Sequence, residues 1–455
     1  MAVTVQSMVL LIVTIVALLY PLTNAAVYQY NGTPGPDKST AVNNTAILNA
    51  ALLSLKSADT LVIPNNTYWL TGGVFATNLF NVTISLDGTL KFVPGRTGWP
   101  TQPCPHDANK KCVQKAILFT NVDQLTLTSS NAIQGGVIDG GGAPWWGYVN
   151  YLRYGEDRPK LFTVANGTNI LVERWHLRQS AYHTWHFDDV RALVIRFCSV
   201  DNRVNSDDSH TIENLGALNT DGFDVSGKDI HIHDCSVWNQ DDCFTIVPTT
   251  GSGINANCTE NVLIENINAS GLGLTVGSIE PTLNHACIKN VTFRNAFMFH
   301  SYKGIYIKSA NRDVPPPASY TAEITNILYE NITMDAPEQV PIWLGPAQEL
   351  DSAKACSLLW PVDPFAKCPS PLGNVKWTNI TLRRIRILNP KESPGVIFGN
   401  LSVPMKGVVF DNVVVTPLDK GKKPWGDQFY YCKGVARGMA KGGTSPVPPC
   451  FDVVL

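Results

Sequence analysis

Charged side chains are scarce in this sequence. Asp, Glu, Lys and Arg make up 16% of its 455 residues, compared with about 25% in ordinary globular proteins. The formal net charge is −2, which argues against the broad positive surface that attracts nucleic acid or anionic lipid. An anionic partner would therefore have to be recognised locally, by individual side chains. Glycine, asparagine, threonine and β-branched residues are abundant instead, and that composition favours strands over helices.

Several common ligand motifs are also missing. The sequence contains no Cys-x-x-Cys pair, no phosphate-binding glycine loop and no dinucleotide fingerprint. These absences argue against a cysteine-held zinc ion and against nucleotide chemistry. We therefore expect an all-β protein that uses neither a metal nor a cofactor.

The N-terminus carries an apolar run, Val9–Leu19, which is too short to span a bilayer. Small residues follow at 23–26, as a signal peptidase requires. We interpret residues 1–26 as a signal peptide and residues 27–455 as the mature chain. Asn-x-Ser/Thr sequons such as those at Asn290 and Asn379 agree with secretion to the extracellular space or cell wall. No stable membrane insertion is expected after signal removal.

The chain has 11 cysteines, and an extracellular setting favours disulfides between them. Connectivity does not follow from sequence alone, but closely spaced cysteines suggest four local pairs. These pairs are Cys104–Cys112, Cys243–Cys258, Cys356–Cys368 and Cys432–Cys450. Cys198, Cys235 and Cys287 remain, and for Cys198 and Cys235 both a bridge and buried free thiols stay open.

A loose repeat runs through the mature chain. A polar turn residue precedes a few alternating β-formers, as in Lys228–Ile232, Glu260–Ile264 and Lys289–Phe293. The intervals are irregular, whereas a propeller or leucine-rich repeat has a fixed period. Stacked coils would share one core and alternate apolar and polar residues. The pattern predicts a single-domain parallel β-helix over 27–455. A β-sandwich is the alternative, although its turns recur roughly every 8–12 residues.

Two short acidic segments concentrate the chemistry. Asp221 lies in Asn219–Asp224, and Asp241 and Asp242 lie in Gln240–Cys243, 20 residues further along. That spacing equals about one short coil, so stacking would bring three carboxylates onto one face. Crowded carboxylates raise one another's pKa, which suits acid–base hydrolysis of a glycosidic bond.

Asp241 and Asp242 pose a geometric problem, because adjacent residues of a regular strand point to opposite faces. Both side chains can reach one site only if the chain bends there. We therefore predict a turn or bulge at this pair, fixed by Cys243 if it bridges to Cys258.

These segments resemble the signature motifs of glycoside hydrolase family 28, the polygalacturonase family. The resemblance implies a right-handed parallel β-helix and an inverting pectin hydrolase. It makes Asp241 the general acid, while Asp221 and Asp242 position and deprotonate the attacking water. It also places Asn219 and Gln240 beside the substrate.

Two further family motifs are altered. The family's Gly-His-Gly-Leu segment has Leu272 in place of histidine, and its Arg-Ile-Lys segment has Tyr306 in place of arginine, while Lys308 matches the lysine. Loss of the arginine removes bidentate carboxylate recognition. We expect Tyr306 to offer a stacking face and the substrate to shift toward a less charged neighbouring sugar, as in rhamnogalacturonan or xylogalacturonan. His186 would either line the groove or pack within the coil.

Three functions stay open at this level. The leading one is hydrolysis of galacturonate-containing pectic polysaccharide by a monomeric enzyme. The second is calcium-dependent lysis, which also occurs on parallel β-helices and needs calcium-binding carboxylates. The third is a catalytically impaired relative that only binds cell-wall polysaccharide.

Overall fold

The computed structural model describes residues 25–105, 107–203, 216–249, 258–310, 316–349, 356–361, 363 and 365–454. Residues 1–24, which hold most of the predicted signal peptide, lie outside this range. Within the described residues no helix has the length and apolarity needed to cross a membrane.

Two α-helices occur in the described chain, α1 (Ala41–Ser54) and α2 (Tyr148–Tyr154). The strands are β1 Val27–Gln29, β2 Thr60–Ile63, β3 Thr67–Leu70, β4 Val74–Thr77, β5 Phe80–Leu86, β6 Thr89–Phe92, β7 Thr101–Cys104, β8 Asp107–Val113, β9 Ile117–Thr128, β10 Gly136–Asp139, β11 Phe162–Glu173, β12 Trp175–Arg178, β13 Trp185–Arg196, β14 Ser199–Asp201, β15 Phe223–Trp238, β16 Phe244–Ile246, β17 Cys258–Ser270, β18 Leu274–Ile279, β19 Ala286–Phe299, β20 Ile305–Ser309, β21 Ala322–Asp335, β22 Ile342–Pro346, β23 Gln348–Glu349, β24 Cys356–Ser357, β25 Val375–Leu388, β26 Gly395–Phe398, β27 Met405–Thr416, β28 Tyr430–Lys433, β29 Val435–Ala436, β30 Gly438–Lys441 and β31 Phe451–Val453.

The strands stack as the coils of a right-handed parallel β-helix, which confirms the predicted fold. Strand β15 shows how one coil is built. Its first residues pair with β16, its middle residues pair with β17, and its last residues pair with β14 and β17. The chain turns between these sheets where Gly227 and Asp234 adopt positive φ angles of 135° and 53°. Glycine and short polar residues tolerate that conformation, which explains the polar turn residues in the repeat.

Alternation along each strand fills the interior of the coils. In β25 inward residues are buried and outward residues are partly or fully exposed, as a period of two requires. Beneath the sheet that carries the acidic motifs, Phe162, Trp185, Phe223 and Phe244 form a column with ring centroids 5.0, 6.2 and 5.1 Å apart. Burying a side chain of this kind contributes about 1.5–3 kcal/mol, so the column holds successive coils in register.

Asparagines line one turn between sheets. The Nδ2 group of Asn261 donates to Asp229 at 3.0 Å, that of Asn290 to Asn261 at 3.2 Å, that of Asn326 to Asn290 at 3.1 Å, and that of Asn379 to Asn326 at 3.1 Å. Every member has a positive φ angle. Two of the sequon asparagines named above therefore belong to a ladder that links coils.

The N-terminal end of the stack is covered by α1. Its buried Leu48 and Leu52 join the main core, and Asn44, fully buried, donates to the carbonyl oxygens of Thr33 and Trp69 at 2.9 and 3.1 Å. Uncovered strand edges can pair with other chains, so the helix closes an otherwise open end.

Three of the four expected disulfides are present, namely Cys104–Cys112, Cys356–Cys368 and Cys432–Cys450. The Cys243–Cys258 prediction is wrong. Cys258 bonds Cys287, which is its register partner on the next coil, while Cys243 is a buried free thiol. Cys198 and Cys235 are also buried free thiols.

Candidate active site

One sheet of the β-helix carries the acidic motifs, and we call its outer face the groove face. The face is built from the first residues of β11, β13 and β15, followed by β16, β18, β20, β22 and β26. Residues in register on these coils form rows across the face. The row within the strands consists of Thr163, His186, Asp224, Thr245, Thr275, Tyr306, Trp343 and Val396.

A second row lies two residues ahead of the inward-pointing aromatic and aliphatic side chains, where backbone hydrogen bonds continue between coils. We call it the acid row. Its members are Lys160, His183, Asp221, Asp242, Leu272 and Lys303. Successive rungs of a parallel stack are about 4.8 Å apart, so the acid row places two carboxylates between flanking basic residues.

Asp221, Asp241 and Asp242 come together as the sequence predicts. One carboxylate oxygen of each lies within 4.8 Å of one oxygen of the others. The segment from Asn239 to Cys243 leaves the strand conformation between β15 and β16. The predicted bend is therefore present, and it allows two adjacent residues to face one site, but no disulfide at Cys243 fixes it.

Asp241 is held by backbone donors. The N–H groups of Asn219 and Asp242 each donate to its carboxylate at 2.9 Å. Asn219 adopts a φ angle of 59°, a conformation that asparagine tolerates and that brings its N–H close to Asp241. Both contacts fix the position and orientation of the carboxylate within the site.

Asp242 is buried and paired. Its Oδ2 lies 2.7 Å from Lys308 Nζ, and its Oδ1 accepts a hydrogen bond from Thr275 Oγ1 at 2.5 Å. Burial raises the pKa of Asp242 above its usual value, although the charge of Lys308 opposes the shift. Lys308, which matches the lysine of the family motif, therefore forms an ion pair with one member of the acidic trio.

Asp221 is the member most strongly driven to keep a proton. Burial, followed by the charges of Asp224, Asp241 and Asp242, raises its pKa well above the usual value. Thr245 Oγ1 lies 3.4 Å from Asp221 Oδ2. Electrostatics therefore places the proton of the unliganded trio on Asp221, whereas the family resemblance gives the acid role to Asp241.

Histidines flank the trio on the N-terminal side. His183 Nδ1 contacts Asp224, and His183 Nε2 lies 3.8 Å from Asp221 Oδ1. Burial acts to raise the pKa of Asp224, but the two histidines His183 and His186 outweigh it and hold that pKa well below its usual range. The imidazole of His186 also contacts Lys160 Nζ, at 3.2 Å from either ring nitrogen. His186 thus lies on the groove face, and the coupling of Asp224 to His183 was not predicted.

The altered family positions lie on the C-terminal side. Leu272 packs against an apolar cluster that includes Tyr306 and Trp343. The ring of Tyr306 is only 1% exposed, and its hydroxyl accepts the N–H of Gln348 at 3.1 Å. The expectation of an open stacking face at Tyr306 is therefore wrong, because the surrounding loops and side chains cover the ring.

Gln240 and Lys303 complete the site. Gln240 is buried, and within the described chain its amide nitrogen and oxygen have no hydrogen-bond partner. Lys303 was not predicted, although it occupies the acid row two residues before Ile305. Its Nζ lies 5.0 Å from the ring centroid of Tyr306 and 5.2 Å from that of Trp343.

Among the described residues, two clusters on the groove face have a spacing that a metal ion could use, the Asp trio and the group His183, His186 and Asp224. Each cluster already contacts a lysine ammonium group, since Lys308 pairs with Asp242 of the trio and Lys160 lies against His186. A second cation would be repelled by either ammonium group. The arrangement suits proton transfer between carboxyl groups better than metal binding.

Comparison with known proteins places this site in context. Residues 55–436 match the sequence model of glycosyl hydrolases family 28. The chain belongs to this family. The match includes all three aspartates, Leu272, Tyr306 and Lys308, so the site lies wholly within the family 28 region.

Among curated family relatives, the probable endopolygalacturonase D of Emericella nidulans is 28% identical over 223 residues, which cover 47% of this chain and 40% of that protein. Endopolygalacturonase D of Aspergillus niger is 31% identical over 222 residues, with 48% and 40% covered. The chain therefore spans about two fifths of the length of these relatives.

Solved structures agree on the fold. The endo-xylogalacturonan hydrolase of Aspergillus tubingensis superposes with a TM-score of 0.60 at 20% identity, covering 94% of this chain and 99% of that one. Endopolygalacturonase I of Stereum purpureum, complexed with two galacturonate molecules, gives 0.58 at 17% identity, with coverage of 88% and 98%. These likenesses support the parallel β-helix.

Proposed function

We propose that this family 28 protein is a secreted glycosidase that hydrolyses galacturonate-containing pectic polysaccharide. The observation that carries the proposal is the convergence of Asp221, Asp241 and Asp242 within 4.8 Å on the groove face. Like charges brought this close in a buried site force at least one proton to be shared, as acid–base hydrolysis requires. The match to curated endopolygalacturonases supports the choice of polymer.

In the proposed reaction Asp241 donates its proton to the glycosidic oxygen as the bond from that oxygen to the anomeric carbon breaks. A water molecule between Asp221 and Asp242 attacks the same carbon. Asp242, whose ionised form Lys308 stabilises against the effect of burial, takes the proton of that water, while protonated Asp221 orients it by a hydrogen bond.

The proposal includes inversion at the anomeric carbon, for which the family resemblance is the support. Inverting pairs usually stand roughly 6.5–9.5 Å apart, farther than the closest oxygens of the unliganded trio. Proton NMR of the first products decides the point, because inversion yields the anomer opposite to that of the substrate linkage. Retention would contradict this part of the mechanism and leave hydrolysis intact.

Reducing-end release from polygalacturonate, esterified pectin, rhamnogalacturonan and xylogalacturonan tests the function. Asp241→Asn should lower kcat by about 10²–10⁴-fold on the best substrate, the usual contribution of general acid catalysis. Asp452→Asn, an exposed change on β31, is the matched control and should retain full activity.

The other two functions give different results in the same assay. A calcium-dependent lyase would form unsaturated products that absorb ultraviolet light and would lose activity on chelation. A protein that only binds wall polysaccharide would release no reducing ends from any polymer and would bind equally well as Asp241→Asn. Either pattern would overturn the hydrolase proposal.

Rhamnogalacturonan or xylogalacturonan is the alternative substrate. The observation in its favour is that Tyr306 and Leu272 occupy the positions of the arginine and the histidine of the family motifs. These replacements change the surroundings of the neighbouring sugar. The structural neighbour from Aspergillus tubingensis is itself named for xylogalacturonan. The ratio of kcat/KM between the four polymers distinguishes these substrates.

We further propose that the mature enzyme begins near Val27, is exported, and acts as a monomer without a nucleic-acid partner. Four disulfides are compatible with an oxidising compartment. N-terminal sequencing of protein recovered from the culture medium and light scattering of the purified chain test these points. A retained leader or a stable dimer would contradict them.

A further inference from the structure

Lys303 is a buried cation on the groove face. The residue is only 2% exposed, and its backbone N–H donates to the carbonyl oxygen of Leu272 at 2.9 Å. Through Leu272 it stands two rungs from Asp242 in the acid row, a rise of about 10 Å at about 4.8 Å per rung. That position is beside the trio, on the side of Tyr306 and Trp343.

Within the described chain Lys303 has no carboxylate partner. Within that part of the chain, its side chain makes one hydrogen bond, from Nζ to Gln339 Oε1 at 3.3 Å. Its ammonium group otherwise faces the rings of Tyr306 and Trp343. Lys308, by contrast, is paired with a carboxylate at 2.7 Å. A lysine is almost never fully buried unless paired, because an uncompensated charge is costly to desolvate.

The pKa shifts of Lys303 and of nearby Glu392 agree with a buried ammonium group that has no ion-pair partner in the described chain. Burial, and then the charge of Lys308, lowers the pKa of Lys303 to about 8, so the amine is still protonated at neutral and acidic pH. Burial also raises the pKa of Glu392, although Lys303 opposes that shift, and the two side chains form no ion pair. Within the described chain the Lys303 ammonium group thus lies against two aromatic rings and one amide. The carboxylates of Asp242, Asp241 and Glu392 attract it from beyond ion-pair distance.

We propose that Lys303 binds the carboxylate of a uronate residue of the substrate, on the Tyr306 side of the cleaved bond. This inference rests on the proposed pectic substrate and narrows it. The position of Tyr306 carries an arginine in the family motif, and the positive charge absent there is supplied from Lys303, three residues earlier and in the neighbouring row. The sugar bound at this point is therefore an acidic one, in contrast to the less charged neighbour expected from Tyr306 alone.

A purely structural role is the competing explanation. Contacts between an ammonium group and aromatic rings are attractive, and Lys303 could serve only to pack Tyr306 and Trp343. That role would affect every substrate equally. Carboxylate binding would instead affect only substrates that carry a free acid.

The test compares free-acid and methyl-esterified forms of whichever pectic polymer the enzyme cleaves best. Lys303→Met should lower kcat/KM on the free acid by about tenfold or more, as loss of a charged hydrogen bond implies, with the change mainly in KM. The rate on the esterified form should change less than twofold, which is within the scatter of surface substitutions. Lys303→Arg should restore most of the loss, and the exposed control Lys376→Met should match the wild type.

A binding measurement separates this inference from the function itself. In an Asp241→Asn background, calorimetry with a galacturonate oligomer should show about tenfold weaker binding when Lys303→Met is added. If the wild type cleaves no pectic polymer, the proposed function fails, yet this arm still reports on Lys303. Equal losses on free and esterified ligands, or no loss at all, would overturn the inference. Should Lys303→Met fail to fold, judged by circular dichroism, Lys303→Gln takes its place in both arms.

Discussion

Removing the charge of Lys308 gives the most quantitative prediction. The Lys308–Asp242 pair is well shielded, with 15% and 2% of the two side chains exposed. Lys308→Met keeps much of the apolar stem but leaves the carboxylate without its cation. Removing one partner of a buried pair costs about 3–5 kcal/mol when the other stays charged. The carboxyl group can avoid part of that cost by keeping a proton, which makes the effect depend on pH.

The sign follows from the direction of the pKa shift. Burial already raises the pKa of Asp242 in the folded protein, and loss of Lys308 removes the charge that opposes this rise. A carboxyl group whose folded pKa lies above its unfolded value of about 3.9 destabilises the fold as pH increases past that value. Each pH unit costs about 1.4 kcal/mol, so the ceiling is about 4 kcal/mol at pH 7 and near zero at pH 4. The wild type carries part of the same cost, so the difference stays below this ceiling.

Calorimetric melting at pH 4 and pH 7 measures the effect. Unfolding entropy of about 2.1 cal/mol/K per residue, taken over the proposed mature chain 27–455, converts 1 kcal/mol into about 1 °C. Lys308→Met should therefore melt up to about 4 °C below the wild type at pH 7 and together with it at pH 4. Adding Asp242→Asn should recover the loss, and Lys376→Met should show none. An equal deficit at both pH values would refute the charge argument and indicate lost packing.

Three further predictions concern the rest of the molecule. Asp224→Asn should melt at a lower temperature than the wild type at pH 6, because His183 and His186 outweigh burial and depress the pKa of Asp224. The difference in melting temperature should shrink as the pH falls below about 3.9. A difference independent of pH would contradict this explanation. Phe244→Ala opens the aromatic column and should cost about 3–5 kcal/mol in melting measurements, whereas a shift under 1 °C would show that the column is dispensable. Non-reducing peptide mapping should recover Cys258 linked to Cys287, and a different partner would contradict the observed register.

The fold and the acidic trio were predictable because both depend on spacing. Alternation of apolar residues predicts which side chains fill a coil, and the 20 residues between Asp221 and Asp241 correspond to one coil of the observed stack. The bend at Asp242 followed from the same reasoning, since two adjacent carboxylates cannot face one side of a regular strand. These are local rules, and the structure obeys them.

Contacts that depend on register between distant coils were harder to predict. Cys258 lies opposite Cys287 because strands β17 and β19 pair with an offset of 29 residues, the same offset that places Glu260 opposite Lys289. The spacing of the two repeats in the sequence already has this offset and would have predicted the pair. Proximity in sequence instead suggested Cys243, whose thiol points into the core.

The surroundings of Tyr306 could not be obtained from a motif. Whether its ring is open depends on loops that follow β22 and on Trp343 in the next coil, and sequence patterns do not give their packing. Lys303 was missed for a related reason. Among the residues that the structure describes, no carboxylate forms an ion pair with it, and that is a property of its three-dimensional surroundings.

The rows on the groove face have a consequence for how specificity can change. Each coil contributes one side chain to the acid row, and neighbouring positions such as Leu272 and Lys303 lie 31 residues apart in the chain although their coils touch. A single substitution can therefore change one position of the groove face while the aspartates on other coils keep their places. Under the proposed function, combinatorial libraries restricted to one residue per coil would explore new pectic substrates without moving the acidic trio.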